Sequence, residues 1–210
     1  MPFRITREEL VQLAGGAALL VLVLLWPWVF NSPTLGDHHI RWTIRLALAF
    51  YFGAAGLMLQ LNSPEDWSAR TLPGGYARVL WTLAFVTYAV HVALALHHYH
   101  HWSHAHAVEH TRQVAGIGEG IYVSHLFGLL WGLDAAWWWL WPDRYAARNR
   151  AVGLGLHAFM AFIWFNGTVV YEQGVIRWAG LATFVVLAVL WGLRWKRGDS
   201  AVKEGPRAWF

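Results

Sequence analysis

Six long, mostly apolar stretches succeed one another along this chain of 210 residues. A helix rises 1.5 Å per residue, so roughly 20 consecutive apolar residues carry it across the hydrocarbon core of a bilayer. Charged residues make up only 13% of the chain, whereas a soluble domain usually has about 25%. We therefore predict an all-α, polytopic membrane protein whose single transmembrane domain covers residues 1–210 as a bundle of about six helices in the lipid bilayer. The predicted spans are approximately residues 10–30, 42–61, 79–98, 121–141, 152–171 and 175–195.

The distribution of Lys and Arg predicts the orientation, because short loops that stay in the cytoplasm carry an excess of these residues. If both termini are cytoplasmic, 12 Lys and Arg residues lie in inner segments and 4 lie in outer segments. Arg outnumbers Lys 14 to 2, which is typical of a GC-rich bacterial genome. We therefore predict a bacterial inner membrane protein with both termini inside. Four tryptophans at the inner end of the fourth span fit an interfacial aromatic belt: Trp137, Trp138, Trp139 and Trp141.

Composition excludes several classes of site. The chain has no cysteine, so it forms no disulfides, thiolate zinc sites, iron–sulfur clusters or cysteine nucleophiles. The net charge is +4, but the basic residues are scattered and form no stripe. That pattern is typical of membrane topology and argues against nucleic-acid binding.

The strongest chemical signal is the segment from His97 to His110, termed here the histidine segment, which holds seven of the chain's 12 histidines. Neither Pro nor Gly occurs between Tyr76 and Gly116, so the third helix is predicted to continue beyond the membrane. In a continuous helix, residues at i, i+3, i+4 and i+7 share one face. That face would carry four imidazoles: His97, His100, His101 and His104.

Imidazole nitrogens are good ligands for zinc, copper and iron, so we predict a transition-metal site at the outer, periplasmic face. Thioether sites for copper(I) are disfavoured because the chain has only three methionines. Carboxylates of the same face, such as Asp37, would complete the coordination or orient the rings. The candidate ligands are His38, His39, His97, His98, His100, His101, His104, His106, His110 and Glu109.

Two more histidines, His91 and His125, fall at similar depths inside the third and fourth spans. Ionisable side chains within a bilayer are costly and often mark functional positions. These two rings can support the outer metal site, ligate a haem b between them, or form hydrogen bonds across helices. Asp134 and His157 fall at similar depth near the inner side and are predicted to form a buried polar pair, either as a proton relay or as a structural contact.

These features leave four functions open. The chain can be a membrane protein that captures or hands on a transition metal, a non-haem metal-dependent oxidoreductase, a haem b subunit of an electron-transfer chain, or a subunit whose histidines hold no metal. We favour non-haem metal binding with its catalytic status undecided, because clustered nitrogen and oxygen donors suit zinc, copper(II) or iron.

Overall fold

The computed structural model describes residues 5–30 and 34–201. These ranges are built from helices and contain no strand, which confirms the predicted all-α class. In chain order the helices are α1 (Arg7–Val29), α2 (Leu35–Met58), α3 (Pro64–Trp67), α4 (Leu72–His98), α5 (His104–Ala115), α6 (Gly120–Leu140), α7 (Pro142–Ala146), α8 (Arg150–Phe165) and α9 (Gly174–Ala201). A π-helical turn, Asn166–Val170, extends α8.

Each of the six predicted spans coincides with one of the long helices α1, α2, α4, α6, α8 and α9. α2 is not among the helices that are long and apolar enough by themselves to cross a membrane, and Asp37, Arg41 and Arg45 lie in its first half, so the total of six spans stays a prediction. Four stretches are long and apolar enough by themselves to cross a membrane: Arg7–Val29, Pro64–His98, Arg150–Val170 and Gly174–Trp195. A fifth span is added if α5 and α6, which meet at a bend of 107°, are counted as one broken helix.

The predicted continuation of the third helix through the histidine segment is wrong, since α4 ends at His98 and α5 begins at His104. Between them, His101 and Trp102 have φ angles of 47° and 60°. This left-handed region interrupts a right-handed helix and is uncommon for residues other than glycine. The four histidines predicted to share one helical face therefore lie on three different elements.

Backbone hydrogen bonds explain how this turn forms without proline or glycine. The amide of His100 donates to the Ala95 carbonyl at 3.3 Å, and the amide of Trp102 donates to the Leu96 carbonyl at 2.9 Å. These bonds satisfy carbonyls that the end of α4 would otherwise leave without partners. The next helix then starts at Ser103, whose side chain accepts a hydrogen bond from the His106 amide at 3.2 Å. Serine is among the residues most favoured at this capping position.

The chain divides into two compact units. The first comprises the residues up to Tyr51 together with Val79–Ala136. Its centre holds closely packed aromatic rings, in which Trp81 lies 5.1 Å from Trp131 and Tyr51 lies 5.8 Å from both. Lipid is as apolar as these rings, so ring packing and hydrogen bonds hold such a core together rather than exclusion from water.

The second unit comprises Phe52–Arg78 and the residues from Trp137 onward. Trp138 stacks on Tyr145 at 4.7 Å and donates from its indole nitrogen to the Trp67 carbonyl at 2.8 Å. Its side chain is fully buried. The prediction that it belongs to an interfacial belt stays a prediction, and Trp141 of the same predicted belt is 52% exposed.

Candidate metal centre

The histidine segment lies in the first unit, where two glycines reverse the chain after α5. Gly116 ends α5 with φ of 79°, a left-handed cap that glycine adopts without strain. A Cβ on Gly118 would lie 3.0 Å from the Val108 carbonyl oxygen, closer than a side chain normally comes. This tight turn allows the 107° bend between α5 and α6, and histidines from the end of α4, the turn, α5 and α6 come together in small groups.

Three imidazoles, those of His100, His106 and His110, form the most compact group. His106 and His110 are four residues apart on α5 and are therefore neighbours on one face. His100, in the turn before α5, has its ring centroid 5.3 Å from each of theirs. The Nδ1 atoms of His100 and His106 are 3.4 Å apart. A continuous helix would instead have separated His100 from His110 by about 15 Å along its axis.

The surroundings of His100 favour its neutral form. Its side chain is half-buried, whereas those of His106 and His110 are exposed. Burial lowers the pKa of His100 below its ordinary value, and the adjacent His110, His106 and His101 lower it further. A neutral imidazole keeps a lone pair on one nitrogen, which a metal ligand needs.

Tyr99 fixes the position of this turn. Its hydroxyl donates a hydrogen bond to the carboxylate of Asp37, in the first turn of α2. That hydrogen bond, burial and the negative charge of Asp37 raise the pKa of Tyr99, so the hydroxyl keeps its proton and is not available as a tyrosinate ligand. Sequence reasoning treated Asp37 as an outer carboxylate that would assist coordination, but it missed Tyr99, for which the sequence gives no local signal.

A second pair of histidines joins α5 to α6. The Nε2 atoms of His104 and His125 are 3.3 Å apart, and their ring centroids are 5.5 Å apart. The ring of Tyr122 lies beside both, at 5.6 Å from His104 and 6.4 Å from His125. All three side chains are exposed. The structure therefore pairs His125 with a ligand candidate of the histidine segment.

His39 and His98 meet where α2 and α4 pack together. Their ring centroids are 5.7 Å apart, and His97 lies edge-on to His98 at 4.9 Å. His39 is buried and donates from Nε2 to the Leu24 carbonyl at 2.9 Å. Its Nδ1 has no hydrogen-bond partner within the described residues. This group is separate in its contacts from the cluster at His100.

The remaining candidate ligands have other partners. His38 lies against Trp42 at 6.0 Å, and burial together with the neighbouring His39 lowers its pKa. His101 is exposed in the left-handed turn. Glu109 forms an ion pair with Arg112 on its own helix, so its carboxylate is already engaged there.

His91 and His125 have different partners in the structure. Nδ1 of His91 donates to the Ile40 carbonyl at 3.0 Å and lies 3.4 Å from the Thr43 hydroxyl. His125 is paired with His104 instead. A haem held between His91 and His125 stays a prediction, and no contact described in the first unit favours it.

Asp134 and His157 fall in different units, so the predicted polar pair stays a prediction. In the first unit, Asp134 is 5% exposed and accepts a hydrogen bond from the Trp81 indole nitrogen at 2.9 Å. In the second unit, His157 is half-buried on α8. The tryptophan donor gives Asp134 a structural role that sequence spacing did not predict.

In the part of the chain that the structure describes, no group of three or more His, Cys, Asp or Glu side chains is arranged to hold one metal ion as it stands. The two close pairs, His100 with His106 and His104 with His125, each bring two nitrogens together. Comparison of the chain with protein-family models, with curated proteins and with solved structures gives no match.

Proposed function

We propose that this membrane protein binds a divalent transition metal ion through His100, His106 and His110. The observation that carries the proposal is the 3.4 Å separation of Nδ1 in His100 from Nδ1 in His106. In a tetrahedral site with zinc–nitrogen bonds of about 2.0–2.1 Å, two ligand nitrogens are about 3.3–3.4 Å apart. A hydrogen bond from a ring N–H is usually shorter, about 2.9–3.0 Å.

The third ligand would be His110, whose ring centroid is 5.3 Å from that of His100. The side chain of His110 is exposed, so its χ torsions are free to move between staggered rotamers and a rotation would direct one of its nitrogens toward the same ion. Zinc suits this arrangement better than square-planar copper(II), in which adjacent nitrogens are about 2.8–2.9 Å apart.

Three protein ligands leave one tetrahedral position for water or for an incoming ligand. Structural zinc sites are closed to solvent by four protein ligands. The site proposed here has three protein ligands, and two of them, His106 and His110, are exposed. Such an open site suits reversible capture and release of a metal ion at a membrane surface. The excess of 12 over 4 basic residues favours the periplasmic side for this surface.

The test is zinc binding by calorimetry on purified protein that has first been stripped with a chelator. Zinc titration of the wild type is compared with that of a variant carrying His100→Ala, His106→Ala and His110→Ala. We expect the triple variant to bind one zinc ion fewer. A visible absorption spectrum of the protein as purified reports haem in the same sample, because a Soret band would favour the haem alternative.

The matched control is His97→Ala, which removes an exposed imidazole of the same histidine segment outside the proposed site. We expect this variant to bind zinc like the wild type. Unchanged stoichiometry and affinity in the triple variant would refute the proposal. Equal losses in the triple variant and the control would also refute it, because a diffuse histidine surface would then account for binding.

A further inference from the structure

His104 and His125 are both exposed and lie 21 positions apart in the chain, yet their Nε2 atoms are 3.3 Å apart. His104 is the first residue of α5, and His125 lies in the second turn of α6. Within residues 5–30 and 34–201, no carboxylate is bonded to either ring, so the described part of the chain supplies no opposite charge to balance the pair. Two imidazoles directed at each other through the same atom type repel through their lone pairs unless a proton or a cation lies between them.

Local features of the backbone and a neighbouring ring position these two imidazoles. The helix cap at Ser103 fixes where α5 begins, so it fixes His104. Gly116 and Gly118 set the tight turn that joins α5 to α6. The ring of Tyr122, one turn before His125 on α6, packs beside both imidazoles and restricts their rotation.

We propose that His104 and His125 form a second metal site, which binds a tetrahedral divalent ion such as zinc and clamps α5 to α6. The 3.3 Å separation equals the distance between two nitrogen ligands of one zinc ion, about 3.3–3.4 Å. Water molecules complete the coordination, since both side chains face the surface. This site does not depend on the proposed function.

The proposed site at His104 and His125, called the clamp from here on, is distinct from the site at His100 because of helix geometry. His104 and His106 are two residues apart on α5, so their side chains point about 200° apart around the helix axis. His104 and His110 point about 240° apart by the same count. One ion cannot take ligands from both directions, so α5 carries ligands for two ions on different faces.

A metal ion at this site stabilises the packing of α5 against α6. A metal ion that binds only the docked arrangement stabilises it according to its concentration and affinity. We therefore expect zinc to slow amide hydrogen exchange along α5. Loss of either histidine should weaken binding at this site at least roughly tenfold, since disturbing even a supporting residue of a metal site costs about that much.

The experiment uses full-length protein in detergent or nanodiscs and zinc chloride alone as the probe. The clamp variant carries His104→Ala and His125→Ala. It is compared with the wild type, with the triple variant at His100, His106 and His110, and with the His97→Ala control. Calorimetry gives zinc stoichiometry, and hydrogen exchange by mass spectrometry reports the protection of α5.

We expect two zinc ions in the wild type and one in the clamp variant. In the triple variant we expect one zinc ion and retained zinc-dependent protection of α5. A triple variant that binds no zinc would overturn the clamp, even if the clamp variant still binds one ion at the first site. A clamp variant that binds no zinc while the triple variant binds one would support the clamp and refute the proposed function instead. Protection of α5 by zinc that is equal in the wild type and the clamp variant would also overturn the clamp.

Discussion

The hydroxyl of Tyr99 donates a hydrogen bond to the carboxylate of Asp37, which lies 62 positions earlier in the chain. The bond ties the turn after α4 to the first turn of α2. His100 is the next residue, so the position of its imidazole depends on this contact. The negative charge that accepts the bond also raises the pKa of Tyr99, which keeps the donor proton in place.

Replacing Tyr99 with Phe removes this bond while keeping the ring. We expect the free energy of unfolding to fall by about 1 kcal/mol, the usual contribution of one hydrogen bond, and zinc affinity at His100 to weaken without loss of stoichiometry. Chemical denaturation and calorimetry measure the two effects. Asp37→Ala removes the acceptor and should give a similar change, and the double variant should add little, because both substitutions break the same bond. Fully additive effects would show that the two side chains act independently.

Acid should destabilise the zinc-free protein partly through His100. Its pKa in the folded protein is lowered, whereas in the unfolded chain it is near the ordinary value of about 6.5. Between those two values the unfolded state binds more protons, so stability rises with pH there and is lost as pH falls through that window. We expect His100→Ala to lessen the decrease in melting temperature between about pH 7.5 and about pH 5.5. A decrease as large as that of the wild type, measured with chelator present, would contradict the prediction.

The cap at Ser103 should determine where α5 begins. Ser103→Ala removes the side-chain acceptor for the His106 amide, and the loss of such a cap costs about 0.5–2 kcal/mol. We expect reduced stability, together with weaker zinc binding because His104 and His106 follow directly. Ser103→Thr keeps a hydroxyl and is the control. If alanine and threonine variants melt alike and bind zinc alike, the cap is not what positions these histidines.

Arg194 stabilises the end of α2 in the second unit. Arg194 is 8% exposed, and its guanidinium donates to the carbonyls of Met58, Leu59 and Leu61 at 3.2, 2.8 and 2.5 Å. Arg194→Gln leaves buried carbonyls without donors, so we expect a loss of about 1–3 kcal/mol in the free energy of unfolding. The control Arg177→Gln changes an exposed arginine at the other end of α9 and should be nearly neutral. Similar losses in the two variants would argue against these specific bonds.

The distribution of basic residues predicts that the histidine segment and the C-terminus lie on opposite sides of the membrane. Reporter fusions after Phe210 and within the histidine segment test this directly. We expect the C-terminal fusion to be active only with a cytoplasmic reporter and the internal one only with a periplasmic reporter. A periplasmic C-terminus would reverse the orientation and place both proposed metal sites on the cytoplasmic side.

The sequence alone determined the class of structure and the positions of the long helices. The length of an apolar run and the scarcity of charge are local properties, and in lipid the backbone of such a run must satisfy its hydrogen bonds within its own helix. The histidine segment could also be identified from the sequence, because its seven histidines lie close together in the chain. Which of these histidines contact one another could not be predicted from the sequence. Periodicity predicted one helical face through His97, His100, His101 and His104, and that prediction is wrong because α4 ends at His98.

Only the tertiary structure decided which histidines meet. The break uses left-handed residues other than glycine, His101 and Trp102, which local propensity disfavours and which surrounding hydrogen bonds must hold in place. The contact between Tyr99 and Asp37 and the pairing of His104 with His125 join residues far apart in the chain. Trp138 shows the same limit, since its sequence position does not reveal that its indole is buried and donates a hydrogen bond to the Trp67 carbonyl. Spacing along the chain fixes neighbours only within one continuous helix; once the helix ends, the packing of separate elements determines which side chains meet.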